Sequence, residues 1–178
     1  SSFDKFAKLV PSDGAVIAYD ANPFVKSVIE DIPNAVTFGL SGSCDYFATD
    51  IDFDNEGMPR FTVNHGGKEL CRVALSIPGE HNILNALAAF ACGHILGVDV
   101  DDIVRTLEGF TGIQRRFDVL GKTMNGIKII DDYAHHPTEI KATLAAVRNM
   151  KHNDLWCLFQ PHTYTRTMAL MDDFAQSF

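Results

Sequence analysis

From Phe47 to Ile77 apolar residues recur at every second position, a period that a helix cannot use. Phe47, Thr49, Ile51 and Phe53 alternate with Ala48, Asp50, Asp52 and Asp54. Phe61 and Val63 continue the pattern, and Cys71, Val73, Leu75 and Ile77 alternate with Arg72, Ala74 and Ser76. Asn55-Glu56-Gly57 and His65-Gly66-Gly67 interrupt it with turn residues. The stretch therefore reads as a three-stranded antiparallel meander with one face toward water.

The flanking segments have other periods. Phe3, Phe6 and Leu9 suit the last turns of a helix, ended by Pro11-Ser12-Asp13-Gly14. Ala15–Tyr19 is a continuous apolar run, the pattern of a strand buried on both faces. Asp20-Ala21-Asn22-Pro23 then supplies a cap and a first-turn proline for a helix to about Asp31, and a strand is expected at Ala35–Phe38. After Pro78-Gly79, Ile83, Leu87, Ala91 and Ile95 at i, i+4 spacing predict a helix over roughly 82–96. It closes at Gly97, and a second helix capped by Asp99 runs to Gly109. A first domain is expected to stop near Gly112, so that residues 1–113 and 114–178 belong to different units. In the second, Phe117–Leu120 and Ile127–Ile130 flank Asn125-Gly126, the strongest hairpin signal in the chain. A helix from Pro137 to about Asn149, a strand at Leu155–Phe159 and an amphipathic helix from Thr167 follow. Strand, helix, strand in that order predicts a right-handed crossover between two parallel strands. The fold class is α/β.

Charge narrows the partners. The net charge is −8, yet between Arg115 and Leu170 eight basic residues face five acidic ones, which leaves the acidic excess elsewhere. A nucleic-acid surface needs clustered cations, so a small anionic molecule is the better candidate. No apolar run is long enough to cross a membrane. Cys44, Cys71, Cys92 and Cys157 are scattered without CxxC spacing, which suggests neither a zinc site nor a disulfide framework and fits a reducing cytoplasm.

In open α/β sheets ligands bind beyond the carboxyl ends of the strands. The expected crossover puts Asp131 to His136 and Gln160 to Arg166 there, so that Asp132, Tyr133, His135, His162 and Arg166 converge on one mouth. His136, before Pro137, suits a helix cap as well as a ligand. Three histidines at 135, 136 and 162 could in principle bind a metal, but they lack metal-site spacing, and no metal ligand is assigned. Arg115-Arg116 is either a solvated pair or, in a loop after Gly112, a forked phosphate clamp. Asn82 suits a cap of its helix. Asn85 stands one turn later, where capping no longer accounts for it, and two amides at i, i+3 can read a base edge. His81 is undecided. No GxxxxGK[ST] phosphate loop occurs.

The strings GEHNILNALAAFACGHILGV, FTGIQRRFDVLG, DDYAHHPTEIKATLAAVR and FQPHTYTRTMALMDDFA, in this order, resemble the Mur ligase family, and within it the members that add L-alanine. The resemblance is continuous from about Ile77 to Phe178. It implies the C-terminal part of the central ATP-binding domain, α/β with a small antiparallel meander, over 1–113. The start of a Rossmann-like, amino-acid-binding C-terminal domain would follow over 114–178. It further implies a cytoplasmic enzyme of peptidoglycan synthesis that uses ATP and Mg2+, with UDP-N-acetylmuramate and L-alanine as substrates and no nucleic-acid or membrane partner. By the same resemblance Asn82, Asn85, Arg116 and Asp132 contact ATP. Tyr133, His135, His162 and Arg166 face the muramoyl and amino-acid end, with His135, His162 and Arg166 as catalytic residues. Some relatives carry a basic residue where Thr163 stands. Without a phosphate loop, the 178 residues are expected to be an interior piece of such an enzyme and inactive alone. The rival readings are a murein-peptide recycling ligase, a non-catalytic binding domain derived from a ligase, and a metal-dependent phosphoesterase.

Overall fold

A computed structural model describes residues 2–178. Seven strands and seven helices follow one another among them. These are α1 (Ser2–Ala7), β1 (Val16–Tyr19), α2 (Pro23–Ile29), β2 (Ala35–Gly39), β3 (Tyr46–Phe53), β4 (Pro59–His65), β5 (Lys68–Ala74), α3 (Glu80–Ile95), α4 (Val100–Gly109), β6 (Asp118–Lys122), β7 (Lys128–Asp131), α5 (Pro137–Arg148), α6 (Tyr164–Ala169) and α7 (Met171–Ala175).

The meander does not stand alone. It continues the β1–α2–β2 unit into one five-stranded sheet of order β1-β2-β3-β4-β5, parallel from β1 to β3 and antiparallel from β3 to β5. Asn22 starts α2, its side chain accepting the N–H groups of Phe24 and Val25, with Pro23 in the first turn. The strand at 15–19 is only half-buried: among its residues Ala18 alone is in the core. The parity expected for β3 also changes partway. Tyr46 and Ala48 are buried, while Phe47 and Thr49 are not on that face; a bulge between Thr49 and Asp52, with Asp50 at φ +50°, then turns Ile51 and Phe53 onto the core. An extra residue in one strand reverses the side-chain alternation beyond it.

On this sheet lies α3, whose Ile83, Ala86, Leu87, Phe90 and Ala91 form one core with Phe61, Val63, Val73 and Leu75. Gly97 at φ +79° ends that segment, and Asp99 accepts the N–H of Asp101 to begin α4. Among the described residues no helix is long and apolar enough to cross a membrane.

Beyond Gly112 the hairpin forms as its Asn-Gly turn demands. Thr123 N–H donates to Ile127 and Gly126 N–H to Thr123, with Gly126 at φ +81°. The strand expected at Leu155–Phe159 is absent. A strand exists only through ladder bonds to a neighbour, and the two-stranded β6–β7 sheet does not reach this segment. It has no ladder partner, and Trp156 and Leu158 are exposed. The predicted parallel pair and its crossover are therefore not formed. What holds the segment is packing: the Phe159 ring lies tilted against Phe174 and Phe178 and packs on Ile140 and Leu144 of α5. The helix expected from Thr167 is divided into α6 and α7 at Leu170, which leaves helical geometry at φ −122°.

Candidate functional site

A cleft of about 900 Å³ opens between the first turn of α3, the segment 110–118, the β6–β7 hairpin and α5. That volume suits a nucleotide-sized ligand. Asn82, Asn85, Arg116 and Asp132 all line it, and so does His81. Two chain segments far apart in sequence thus meet at one opening.

The α3 side depends on Gly79. The helix begins at Glu80, two residues earlier than expected, with Gly79 in the cap position at φ +102°. A Cβ there would lie 2.7 Å from the His81 ring and 3.0 Å from Ala146 of α5, so the missing side chain lets α5 approach α3. Asn82 accordingly does not cap the helix. Its Nδ2 donates back to the Pro78 carbonyl at 2.8 Å, while its Oδ1 accepts from Asn85 Nδ2 at 3.1 Å. The Asn85 Oδ1 has no protein donor among the described residues. A carboxamide orients it at the cleft with an acceptor to offer, which is the equipment for reading an amino group on a base. His81 is partly buried, and burial holds its pKa below the ordinary 6.5 although the Asp132 carboxylate pulls the other way.

On the opposite side Asp132 organises the backbone. One carboxylate oxygen accepts Phe117 N–H at 2.9 Å and Thr143 Oγ1 at 3.1 Å, and the other accepts Ala134 N–H at 2.7 Å. This ties the segment carrying Arg116 to the end of β7. Arg115 and Phe117 stand at φ +60° and +49°, a region that costs a non-glycine residue about 1–3 kcal/mol and persists only when the surroundings impose it. A carboxylate has about four acceptor sites, so three bonds leave it room for a ligand hydroxyl. Arg115 turns away from the cleft, its guanidinium 4.6 Å over the Tyr133 ring and its Nε 3.8 Å from Asp131. Arg116 lines the cleft and meets Glu139 at 3.4 Å.

His136 is the N-cap of α5. Its Nδ1 accepts Thr138 N–H, and its own N–H donates to Glu139, a reciprocal capping box. His135 Nδ1 lies 2.9 Å from the Tyr133 carbonyl, and the two rings meet edge-on at 5.0 Å. Glu139 is pushed up by burial but pulled down more by the N–H groups of His135 and His136 and by the charges of His135 and Arg116, so it is ionised at neutral pH. Sequence reading did not single out Glu139. The available signal was its position three residues after His136, itself a candidate cap, which is where a capping-box glutamate stands.

Tyr133, His135, His162 and Arg166 are not among the cleft residues. Among the described residues no hydrogen bond, ion pair or ring contact joins the 131–136 loop to His162 or Arg166. Arg166 Nη1 instead reaches the His162 carbonyl within its own segment at 3.5 Å. The parallel strand pair that was to bring the two loops together is not formed, since the 155–159 segment has no ladder partner. His135, His136 and His162 likewise do not converge, and among the described residues no group of three His, Cys, Asp or Glu side chains could hold a metal ion. Imidazole nitrogens are in any case not the hard oxygen donors that Mg2+ takes.

The sheet carrying α3, the 110–118 segment with its two arginines and the hairpin leading into a capped helix define a class: residues 2–93 match the Mur ligase middle domain, residues 115–178 match the Mur ligase glutamate ligase domain, and the chain belongs to the Mur ligase family. Among the family, the chain is 46% identical over its whole length to a UDP-N-acetylmuramate–L-alanine ligase of Alkaliphilus metalliredigens, and 47% identical over 99% of its length to that of Caldanaerobacter subterraneus. It spans 39% and 38% of those two proteins. The crystal structure of a UDP-N-acetylmuramate-alanine ligase from Thermotoga maritima superposes with a TM-score of 0.78 at 28% identity, covering 99% of this chain and 37% of that one. A murein peptide ligase from Psychrobacter arcticus superposes at 0.67 with 31% identity, covering 98% and 37%.

Proposed function

We propose that this chain is the adenine and amino-acid side of a cytoplasmic ATP-dependent ligase that joins L-alanine to UDP-N-acetylmuramate in peptidoglycan precursor synthesis. Residues 1–113 would contribute to the central ATP-binding domain and 114–178 to the amino-acid-binding domain. One observation carries the reading: Asn82, Asn85, Arg116 and Asp132, drawn from two distant segments, line one nucleotide-sized cleft in a chain whose close relatives bear that ligase name.

ATP would supply the phosphoryl group that activates the lactyl carboxylate for attack by the amine of L-alanine. Positioning and charge stabilisation do most of the work in such transfers. Asn82 and Asn85 hold the base edge, Asp132 offers its remaining acceptor site to a ribose hydroxyl, and Arg116 answers the anionic tail with a guanidinium fork. Tyr133, His135, His162 and Arg166 serve the muramoyl and amino-acid end, Arg166 as the carboxylate clamp. Mg2+ enters no step here.

The test is phosphate release by the full-length protein containing this sequence. Turnover should require ATP, UDP-N-acetylmuramate and L-alanine together. Turnover with a murein tripeptide in place of L-alanine would assign it instead to the recycling ligases, and no turnover with either amine would overturn the ligase reading.

A further inference from the structure

The carboxylate of Glu139 does more than a helix cap requires. A capping box uses the N3 side chain to accept the N–H of the cap residue, and Oε2 does this, taking His136 N–H at 3.2 Å together with His135 N–H at 3.0 Å. Oε1 is left over. It faces Arg116 Nη1 at 3.4 Å across 23 residues of chain, from the other wall of the cleft. Arg115 does not compete for this oxygen, being occupied by Asp131 and the Tyr133 ring. His135 Nδ1 lies 3.6 Å from Oε2, so one side chain touches both the arginine that lines the nucleotide-sized cleft and the loop assigned to the substrate end.

We propose that Glu139 is a positioning residue that aims the Arg116 guanidinium into the cleft and fixes it relative to the 133–136 loop. The inference rests on the nucleotide reading of that cleft. Arg116 has several rotamers and stands between residues of unusual backbone geometry, so without a carboxylate opposite it the guanidinium would sample solvent as well as the cleft. Glu139 spends nothing of its capping role to hold it, because the two functions use different oxygens.

The two roles separate by substitution in the full-length protein. Gln in E139Q keeps an amide oxygen for the two backbone N–H groups but has no charge for Arg116, whereas E139A loses both. The expected result is an E139Q enzyme with unchanged melting temperature, kcat within about twofold and KM for ATP raised about fivefold, the scale of one half-exposed charge pair. In the background of R116A, which itself raises the ATP KM, E139Q should add nothing, since the residue it positions is gone. Normal ATP kinetics in E139Q with a lowered melting temperature only in E139A would reduce Glu139 to a cap. Multiplying effects in R116A/E139Q would show that it acts by another route. If R116A leaves the ATP KM unchanged, the nucleotide assignment of Arg116 itself fails, a result distinct from the failure of Glu139 alone.

Discussion

Replacing Asp132 by asparagine tests how the segment around Arg116 is held. The native carboxylate accepts two backbone N–H groups and one hydroxyl. Asparagine has a single acceptor oxygen, so its NH2 must face at least one of Phe117 N–H and Ala134 N–H, donor against donor. A hydrogen bond to a charged group contributes about 1.5–3 kcal/mol, and the site is half-buried, so the lost bond and the donor clash together come to about 2–3 kcal/mol. The effect should be local, because the bonds join one loop to one strand end. Amide hydrogen exchange of Phe117 and Ala134 should therefore accelerate about thirtyfold or more in D132N, at 1.4 kcal/mol per tenfold, while amides in α3 keep their rates. Thr143→Val, which removes only the hydroxyl, should accelerate the same amides about fivefold, corresponding to about 1 kcal/mol. Unchanged protection of Phe117 and Ala134 in a folded D132N protein would refute the view that this carboxylate imposes the positive-φ geometry around Arg116.

Three shorter predictions concern the surroundings of the cleft. Because burial lowers the pKa of His81, the unfolded chain takes up a proton before the folded one; this contribution to stability is whole above about pH 6.5 and is lost as pH falls from there through the folded value. The urea midpoint should thus fall less between about pH 7.5 and 5.5 in His81→Gln than in the parent, and equal slopes would contradict the assignment. Gly79→Ala should destabilise by about 2 kcal/mol or more, since its Cβ meets the His81 ring and Ala146 at a φ of +102°, and thermal melts would detect it. Lys128→Met, which breaks the 2.7 Å ion pair with the exposed Glu56, should leave the same melts essentially unchanged, because solvent screens a pair at the surface.

The parts of the fold that sequence disclosed are those fixed by local chemistry. Asn125-Gly126 set its hairpin, Asn22-Pro23 started α2, and the period-two stretch formed β3, β4 and β5. Misread features depended on partners distant in sequence. Nothing local marks Asp50 as the bulge that reverses β3, because its cost is settled by the pairing with β4. Leu155–Phe159 has strand composition, but composition supplies no neighbour to pair with. At the cleft, Asn85 was conspicuous because a polar residue one turn inside an apolar helix needs a reason. Asn82 suits a cap by residue type alone, because the true cap, Gly79, carries no side chain to recognise. Glu139 went unnoticed because its importance lies in which oxygen faces Arg116, a matter of tertiary geometry.

The claim that the cleft between α3 and α5 receives the base of ATP is most directly tested by calorimetric titration of a non-hydrolysable ATP analogue into the full-length protein and its Asn85→Ala variant. Loss of the base-edge contacts should weaken binding about tenfold or more, the value of a polar contact whose buried partner is left unpaired, with no change in melting temperature. Equal affinity in the two proteins would contradict the account and leave the adenine to be sought elsewhere.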